Sequence, residues 1–289
     1  MRSEAGAFVA MVLALIAAAC AVGPKAAPSA AAAAAAAVID PAVLEKLATT
    51  GFLTPEATPD ASAIIPPAPV EGDARNDADW ALFRYTRALE GSERWALAQN
   101  DDSYKAGDIL KDYSCALDSE LTTETTPTLS LVLSRAATDS GNAAAVAKKI
   151  YKRTRPYLHN PGNICLPKSE ELSRSFDYPS GHSSLSWVQG LILATLAPDR
   201  ATQILQRARG YGESRIVCGV HNWSAVEAGR TNAAGVFAAL QASAEFQRAM
   251  IQAGAELRKA RGSGHKPDPG ACAIEAKLTR PLFTDLTAR

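Results

Sequence analysis

One segment near the middle of the chain would be apolar around most of its circumference if it were helical. Seven large side chains between Gly181 and Pro198 cover that surface: Leu185, Trp187, Val188, Leu191, Ile192, Leu193 and Leu196. Pro198 would end the helix, because proline lacks an amide hydrogen and clashes with the preceding turn. A helix that is apolar on all sides has to be enclosed by other elements. The segment therefore predicts a central helix inside a bundle.

The surrounding sequence is also helical in character, since it is rich in Ala, Leu, Glu, Arg and Gln and has few β-branched runs. Pro156 would end a helix that begins near Ser140. Helices are expected over about residues 140–153, 182–197, 201–212, 224–241 and 244–261. We therefore expect an all-α fold, with a single helical domain over residues 71–261.

The two ends of the chain differ from this domain in composition. Residues 1–20 contain Arg2, an apolar run and then Cys20, which is typical of a secretory signal peptide. A permanent anchor is the alternative, and processing as a lipoprotein at Cys20 stays open. Residues 21–70 are rich in Ala and Pro and are expected to be a tether, and residues 262–289 an irregular extension. A signal peptide would direct export, so we expect a periplasmic protein.

Charge and cysteine content limit the function further. The 30 basic and 30 acidic side chains cancel, so nothing steers the chain to nucleic acid, and only a lipid on Cys20 would bring it to a membrane. Four cysteines follow Cys20, which suggests two disulfides in an oxidising compartment, with buried free thiols as the alternative. Spacing does not choose among the three connectivities. The four are Cys115, Cys165, Cys218 and Cys272.

Two segments look suited to bind an anion. The run from Lys148 to Arg155 holds five basic residues and no acid, and a continuous helix would place these two residues on one face. A solvated basic face is the alternative. Ser180, Gly181 and His182 precede the apolar helix, whose first amides and dipole favour phosphate. An ordinary helix cap would explain the same residues.

A third segment contains Arg215 and His221, separated by five mostly apolar residues. Histidine suits nucleophilic and general acid roles near neutral pH. The spacing of the histidines lacks the patterns of metal ligands, so neither a metal nor another cofactor is predicted.

Together, K-x6-R-P, P-S-G-H and S-R-x5-H resemble the signature of acid phosphatases in the type 2 phosphatidic acid phosphatase and vanadium haloperoxidase superfamily. Within that superfamily, the chain is most similar to class A bacterial nonspecific acid phosphatases. The similarity lies in Tyr-Pro-Ser-Gly-His, Ser-Arg-x2-Cys-Gly-x-His and Ala228-Gly229-Arg230. The resemblance covers about Ile64 to Arg261, including Asp139-x-Gly141. It implies a helical bundle of this type that hydrolyses small phosphate monoesters at acid pH without metal, and a homodimer is plausible on the same ground.

The resemblance also implies a role for each residue. His221 would attack phosphorus, and His182 would protonate the leaving oxygen and then activate water. The implied phosphate ligands are Lys148, Arg155, Ser180, Gly181 and Arg215. The implied disulfides are Cys165 to Cys218 and Cys115 to Cys272.

One position departs from the family pattern. The family has Asp four residues after the nucleophilic histidine, where this chain has Ala225. Such a carboxylate orients the imidazole, so a backbone carbonyl, a water or an acid from another helix has to replace it. Asp177 is a milder change beside the second motif. The alternative function is therefore a phosphate-binding pseudo-phosphatase with weak or lost turnover. A lipid phosphatase or a haloperoxidase fits less well, because the spanning helices and motif context differ.

Overall fold

The structure is a computed structural model that describes residues 49–283. The expected signal peptide and most of the expected tether lie outside the described residues. Within residues 49–283 the chain forms helices and no β-strand, which confirms the all-α prediction. The α-helices are α1 (Ala61–Ile64), α2 (Ala74–Arg87), α3 (Glu93–Asn100), α4 (Ala106–Asp112), α5 (Ser114–Leu117), α6 (Pro127–Tyr151), α7 (Glu170–Arg174), α8 (Gly181–Leu196), α9 (Ala201–Val217), α10 (Trp223–Leu240), α11 (Ala244–Gly262) and α12 (Pro269–Leu278).

Helix α8 is the central helix that the sequence predicts. It packs against α6, α9 and α10, and Val188, Ile192 and Leu193 are fully buried. The helix begins after Ser180, whose Oγ accepts a hydrogen bond from the Ser183 amide at 3.3 Å. None of the helices between residues 49 and 283 is long and apolar enough to cross a membrane.

Helix α6 begins earlier and ends earlier than predicted. Pro127 occupies its first turn, and the helix ends at Tyr151 because Lys152 adopts a left-handed conformation with φ of 48°. Arg155 follows in extended conformation, just before a 3₁₀ turn. The prediction that Lys148 and Arg155 share one face of a continuous helix is therefore wrong. The chain turns between them instead.

Residues 49–70 differ from the tether expected there. The amides of Phe52 and Leu53 donate to the Asp139 carboxylate at 2.8 and 3.1 Å. Ala61 and Ile65 are buried in the main core. A few apolar side chains within an Ala- and Pro-rich stretch are enough to hold this segment against α6.

The C-terminal segment is helical where irregular structure was expected. Asp268 caps α12 by accepting from the Ala271 amide at 2.7 Å. A disulfide joins Cys272 to Cys115, and a second joins Cys165 to Cys218. Both pairs agree with those that the resemblance implies. The first holds α12 beside α5.

Candidate active site

A cavity of about 370 Å³ lies where the three sequence motifs meet. Its lining includes all but one of the proposed catalytic and phosphate-binding residues. Among the further lining residues, which the sequence did not indicate, two contact the proposed site residues from the segment before α4. The proposed residues in the lining are Lys148, Arg155, Gly181, His182, Arg215 and His221, and the two further residues are Asp102 and Tyr104. The arrangement puts three cationic side chains and two imidazoles around one opening.

Ser180 is the exception. Its side chain is fully buried and lies outside the lining of the cavity. Its Oγ accepts from the Ser183 amide and from the Ser183 hydroxyl, the latter at 3.0 Å. The Ser180 amide donates to the carbonyl of Ala225 at 2.9 Å. In this structure Ser180 therefore joins the start of α8 to the start of α10.

The close packing of α8 and α10 depends on Gly229. A Cβ atom added there would lie 2.6 Å from the Ser180 carbonyl oxygen and 2.9 Å from the Ser183 Cβ. Any larger residue would push the two helices apart. The glycine of the Ala228-Gly229-Arg230 sequence therefore has a packing role that keeps the second and third motifs together.

His221 has both ring nitrogens in defined hydrogen bonds. Nδ1 lies 2.9 Å from Oδ1 of Asp177, and Nη1 of Arg155 lies 3.1 Å from Nε2. A carboxylate accepts and a guanidinium only donates, so the proton sits on Nδ1 and the lone pair on Nε2. Burial, and then the neighbouring Arg155 and Lys148, hold the pKa of His221 well below its usual range. The free site therefore presents a neutral imidazole with its Nε2 lone pair toward the cations.

His182 is also fixed at both nitrogens. Its Nε2–H donates to the backbone carbonyl of Asp102 at 3.2 Å. Since a carbonyl only accepts, Nδ1 must accept from the Tyr104 hydroxyl at 2.6 Å. Burial, and then Arg215, hold the pKa of His182 well below its usual range. The ring thus carries its single proton on the nitrogen nearest Asp102.

Arg215 combines deep burial with unsatisfied hydrogen-bonding capacity. The residue is 1% exposed, and Nη2 lies 2.9 Å from Oδ1 of Asp102. Its Nε and Nη1 have no hydrogen-bond partner among residues 49–283. Buried donors without partners are costly, so a tetrahedral oxyanion in the cavity would satisfy them.

The segment from Asp101 to Tyr104 is anchored from beneath by α9. The buried Asp101 carboxylate accepts from Arg207 at 2.7 Å and from the Ser214 hydroxyl at 2.6 Å. The Tyr211 hydroxyl donates to the carbonyl of Ser103 at 2.5 Å. These contacts explain why Asp102 and Tyr104 face the cavity. Nothing in the spacing of the sequence indicated them, because the contacts join residues about 110 positions apart.

Lys148 is the third cationic side chain in the lining of the cavity. Its Nζ donates to the carbonyl of Phe176. Burial, and then the positive charge of Arg155, lower the pKa of Lys148 to about 7, although the Asp177 carboxylate opposes this effect. A positive potential therefore accumulates in the free site, as expected of a cavity that binds an anion.

Comparison with known proteins shows the family to which the chain belongs. Residues 127–248 match the model of the PAP2 superfamily. An acid phosphatase of Zymomonas mobilis is 42% identical over 212 residues, covering 73% of this chain and 80% of the relative. A non-specific acid phosphatase of Providencia stuartii is 33% identical over 202 residues, covering 69% and 82%. One from Salmonella typhimurium is 32% identical over 208 residues, covering 71% and 83%.

The match places residues 127–248, which contain all three motifs, in the PAP2 superfamily. The chain belongs to the bacterial acid phosphatases of the PAP2 superfamily, and it is therefore an enzyme.

Proposed function

We propose that this acid phosphatase hydrolyses phosphate monoesters through a phosphohistidine at Nε2 of His221. The observation that carries the proposal is the convergence of His221, His182 and three cationic side chains on one cavity. Phosphoryl transfer needs mainly positioning and neutralisation of charge. Lys148, Arg155 and Arg215 supply that charge, and the amide of Gly181 at the start of α8 adds a donor.

The reaction would proceed in two steps. A bound phosphate dianion first raises the pKa of His182, so that its ring takes up a second proton and becomes an imidazolium. Nε2 of His221 bonds to phosphorus as the ester P–O bond breaks, and the leaving oxygen takes the Nε2 proton of that imidazolium, which leaves a neutral ring. Water then gives a proton to His182, its oxygen bonds to phosphorus, and the P–N bond breaks. Phosphate leaves, and both histidines return to their starting states.

The pKa values of the histidines fit work at acid pH. A nucleophile whose pKa is held well below its usual range keeps its lone pair in acid. A bound phosphate dianion would raise the pKa of His182 and favour its doubly protonated form, the imidazolium that acts as the acid. Activity should therefore fall as the pH rises through the pKa of His182 in the substrate complex.

Three cations at the phosphate support a reaction without a metal ion. Across residues 49–283 no group of three or more His, Cys, Asp or Glu side chains is arranged to hold a metal. We infer the periplasm as the location, since two disulfides accompany a leader of signal-peptide character. Lys148, Arg155 and Arg215 would bind the phosphate group and not the rest of the ester, so several small esters should serve as substrates.

The proposal is tested by hydrolysis of p-nitrophenyl phosphate between pH 5 and 7 in the presence of EDTA. His221→Ala should lower kcat by at least about 10⁴-fold, because the nucleophile is lost. His265→Ala is the matched control, since His265 is exposed and contacts Ser263 away from the cavity. Alkaline quenching of a reaction with labelled substrate should trap a phosphoenzyme in the unmodified chain only.

Three outcomes would contradict the proposal. Equal activity in the unmodified chain and in His221→Ala would exclude His221 as the nucleophile. Binding of phosphate by the unmodified chain without measurable hydrolysis would establish the pseudo-phosphatase instead. Full loss of activity in EDTA would show that a metal is required.

A further inference from the structure

We propose that Asp177 is the positioning residue of His221, replacing the carboxylate that the family pattern carries at the position of Ala225. This inference rests on the proposed function of His221 as the nucleophile. The Asp177 Oδ1 atom lies 2.9 Å from Nδ1 of His221. Asp177 is fully buried, and His221 is 2% exposed. The pair therefore meets in the interior, where orientation of a ring by a carboxylate is effective.

The carboxylate of Asp177 is itself held by donors. Oδ1 also accepts from the Asn222 amide at 3.1 Å, and Oδ2 accepts from Asn222 Nδ2 at 2.8 Å. A guanidinium nitrogen of Arg153 lies 3.5 Å from Oδ2. Burial raises the pKa of Asp177 above its usual range, and Arg153 and Asn222 offset this effect only in part. With donors on both oxygens, the group is suited to remain an anion of fixed orientation.

The backbone also fixes Asp177. Its amide donates to the carbonyl of Arg153 at 2.7 Å, so the main chain as well as the side chain is tied to the segment after α6. The Arg153 guanidinium bonds Asp79 at 2.8 Å and Ser224 at 2.8 Å. A network that crosses from α2 to α10 therefore supports the position of the carboxylate.

Position 225 does not need a second carboxylate. Ala225 is fully buried in the first turn of α10, and its carbonyl accepts the Ser180 amide. The segment that carries Asp177 thus lies directly against the residue that the family pattern makes acidic. Since Nδ1 of His221 has one hydrogen, one acceptor is sufficient. A second buried carboxylate there would meet like-charge repulsion.

The arrangement affects each stage of the proposed reaction. The Nδ1–H bond to Asp177 keeps the lone pair of His221 on Nε2 before attack. Once phosphorus is bonded, the ring becomes cationic and the nearby carboxylate stabilises it, while the proton stays on Nδ1. No atom of Asp177 bonds to the substrate, so its action passes through His221.

Asp177→Asn keeps the shape of the side chain and removes its charge. It should lower kcat by about 10²- to 10⁴-fold, with KM changed by a few-fold only. Asp139→Asn is the matched control, because Asp139 is buried and accepts the amides of Phe52 and Leu53 outside the lining of the cavity. The control should lower Tm by a similar amount and keep kcat within about threefold of the unmodified chain.

A transplant of the carboxylate separates positioning from a structural role. Asp177→Ala combined with Ala225→Asp should recover at least about tenfold in kcat over Asp177→Ala alone. Ala225→Asp by itself should give no gain, because the ring is already oriented. An unchanged kcat in Asp177→Asn would overturn the proposal, and so would equal losses of kcat in Asp177→Asn and Asp139→Asn.

A measurement that does not depend on turnover keeps this inference separate from the proposed function. Nitrogen-15 NMR of labelled histidine should show a protonated Nδ1 for His221 in the unmodified chain and loss of that form in Asp177→Asn. The His221→Ala variant assigns the signal. If His221 proves not to be the nucleophile, this result still decides whether Asp177 orients the ring. Identical signals in both proteins would overturn the proposal.

Discussion

The protonation of Lys148 should depend on whether an anion occupies the site. Burial and the adjacent Arg155 lower its pKa to about 7, so at pH 8 the free site holds a mostly neutral amine. A bound dianion stabilises the protonated form and raises that pKa. Binding of sulfate at pH 8 should therefore take up about one proton at this residue, whereas at pH 5.5 Lys148 is already charged and takes up none.

Calorimetry of sulfate binding in buffers of different ionisation enthalpy measures this uptake. Sulfate is a suitable tetrahedral probe because it does not titrate in this range. Lys148→Arg should bind sulfate without the uptake at pH 8, since a guanidinium is charged throughout. The same uptake in both proteins would assign the proton to another group.

The histidines and cations that line the cavity and the carboxylate that bonds His221 differ in how predictable they are. Residue type and spacing predicted the two histidines and the three cations, because each motif concentrates rare residues with suitable chemistry. The partnership of Asp177 and His221 was not predicted, since it joins residues 44 positions apart. The sequence showed only that Ala225 leaves the ring without its expected partner, and that some other acceptor has to be found.

Among the elements, the segment from Asp101 to Tyr104 places a carboxylate directly against a cation of the cavity. The carboxylate of Asp102 lies 2.9 Å from Arg215 and competes with an incoming anion for that guanidinium. Asp102→Asn should therefore lower the inhibition constant of inorganic phosphate by about three- to tenfold, equivalent to about 1 kcal/mol. Asp77→Asn, on the exposed face of α2, removes the same charge far from the contact and serves as the control.

Competition of phosphate with p-nitrophenyl phosphate gives this constant for each protein. Weaker phosphate binding in Asp102→Asn would show that the carboxylate supports the site instead of competing with the ligand. An equal change in Asp77→Asn would indicate an effect of overall charge.

Helix interiors were more predictable than helix ends. Apolar periodicity and Pro198 placed α8 well, and α10 and α11 begin and end within a residue of expectation. The end of α6 was missed because Lys152 adopts a left-handed conformation that residue type does not favour. Helix α9 continues to Val217, beyond the expected end at Gly212, because its last turns are held in the core by buried contacts. Tertiary packing overrides local preference at such places.

At the scale of the whole molecule, the two disulfides should have different effects. They close chain separations of 157 and 53 residues, for which chain entropy gives about 5 and about 4 kcal/mol. Replacing Cys115 and Cys272 by serine should lower Tm and leave kcat within about twofold. This bridge fixes α12, which lies outside the lining of the cavity. Replacing Cys165 and Cys218 by serine should lower both Tm and kcat, since Cys218 lies three residues before His221.

Thermal unfolding followed by circular dichroism measures Tm for each variant. The kcat values are compared at a temperature well below the unfolding transitions of both variants. A loss of kcat for the Cys115 and Cys272 pair equal to that of the other pair would contradict this separation. Full activity without the Cys165 bridge would show that packing alone holds the loop before His221.

The first and last residues of the folded region were less predictable than its all-α fold class. Average composition suggested a tether up to residue 70, but Phe52 and Ile65 pack onto the core. The expected irregular tail contains α12. In both places a few specific contacts decide the outcome, namely the Asp139 carboxylate at one end and Cys272 at the other. Contacts of this kind join distant parts of the chain, so local sequence does not reveal them.

The placement of Asp177 also affects when the site becomes competent during folding. An acid four residues after the histidine would approach the ring as soon as the helix formed. Here the acid precedes α8, and the histidine follows α9, so they meet only after both helices have packed. Recovery of turnover during refolding should therefore lag behind helix formation and follow the assembly of the core.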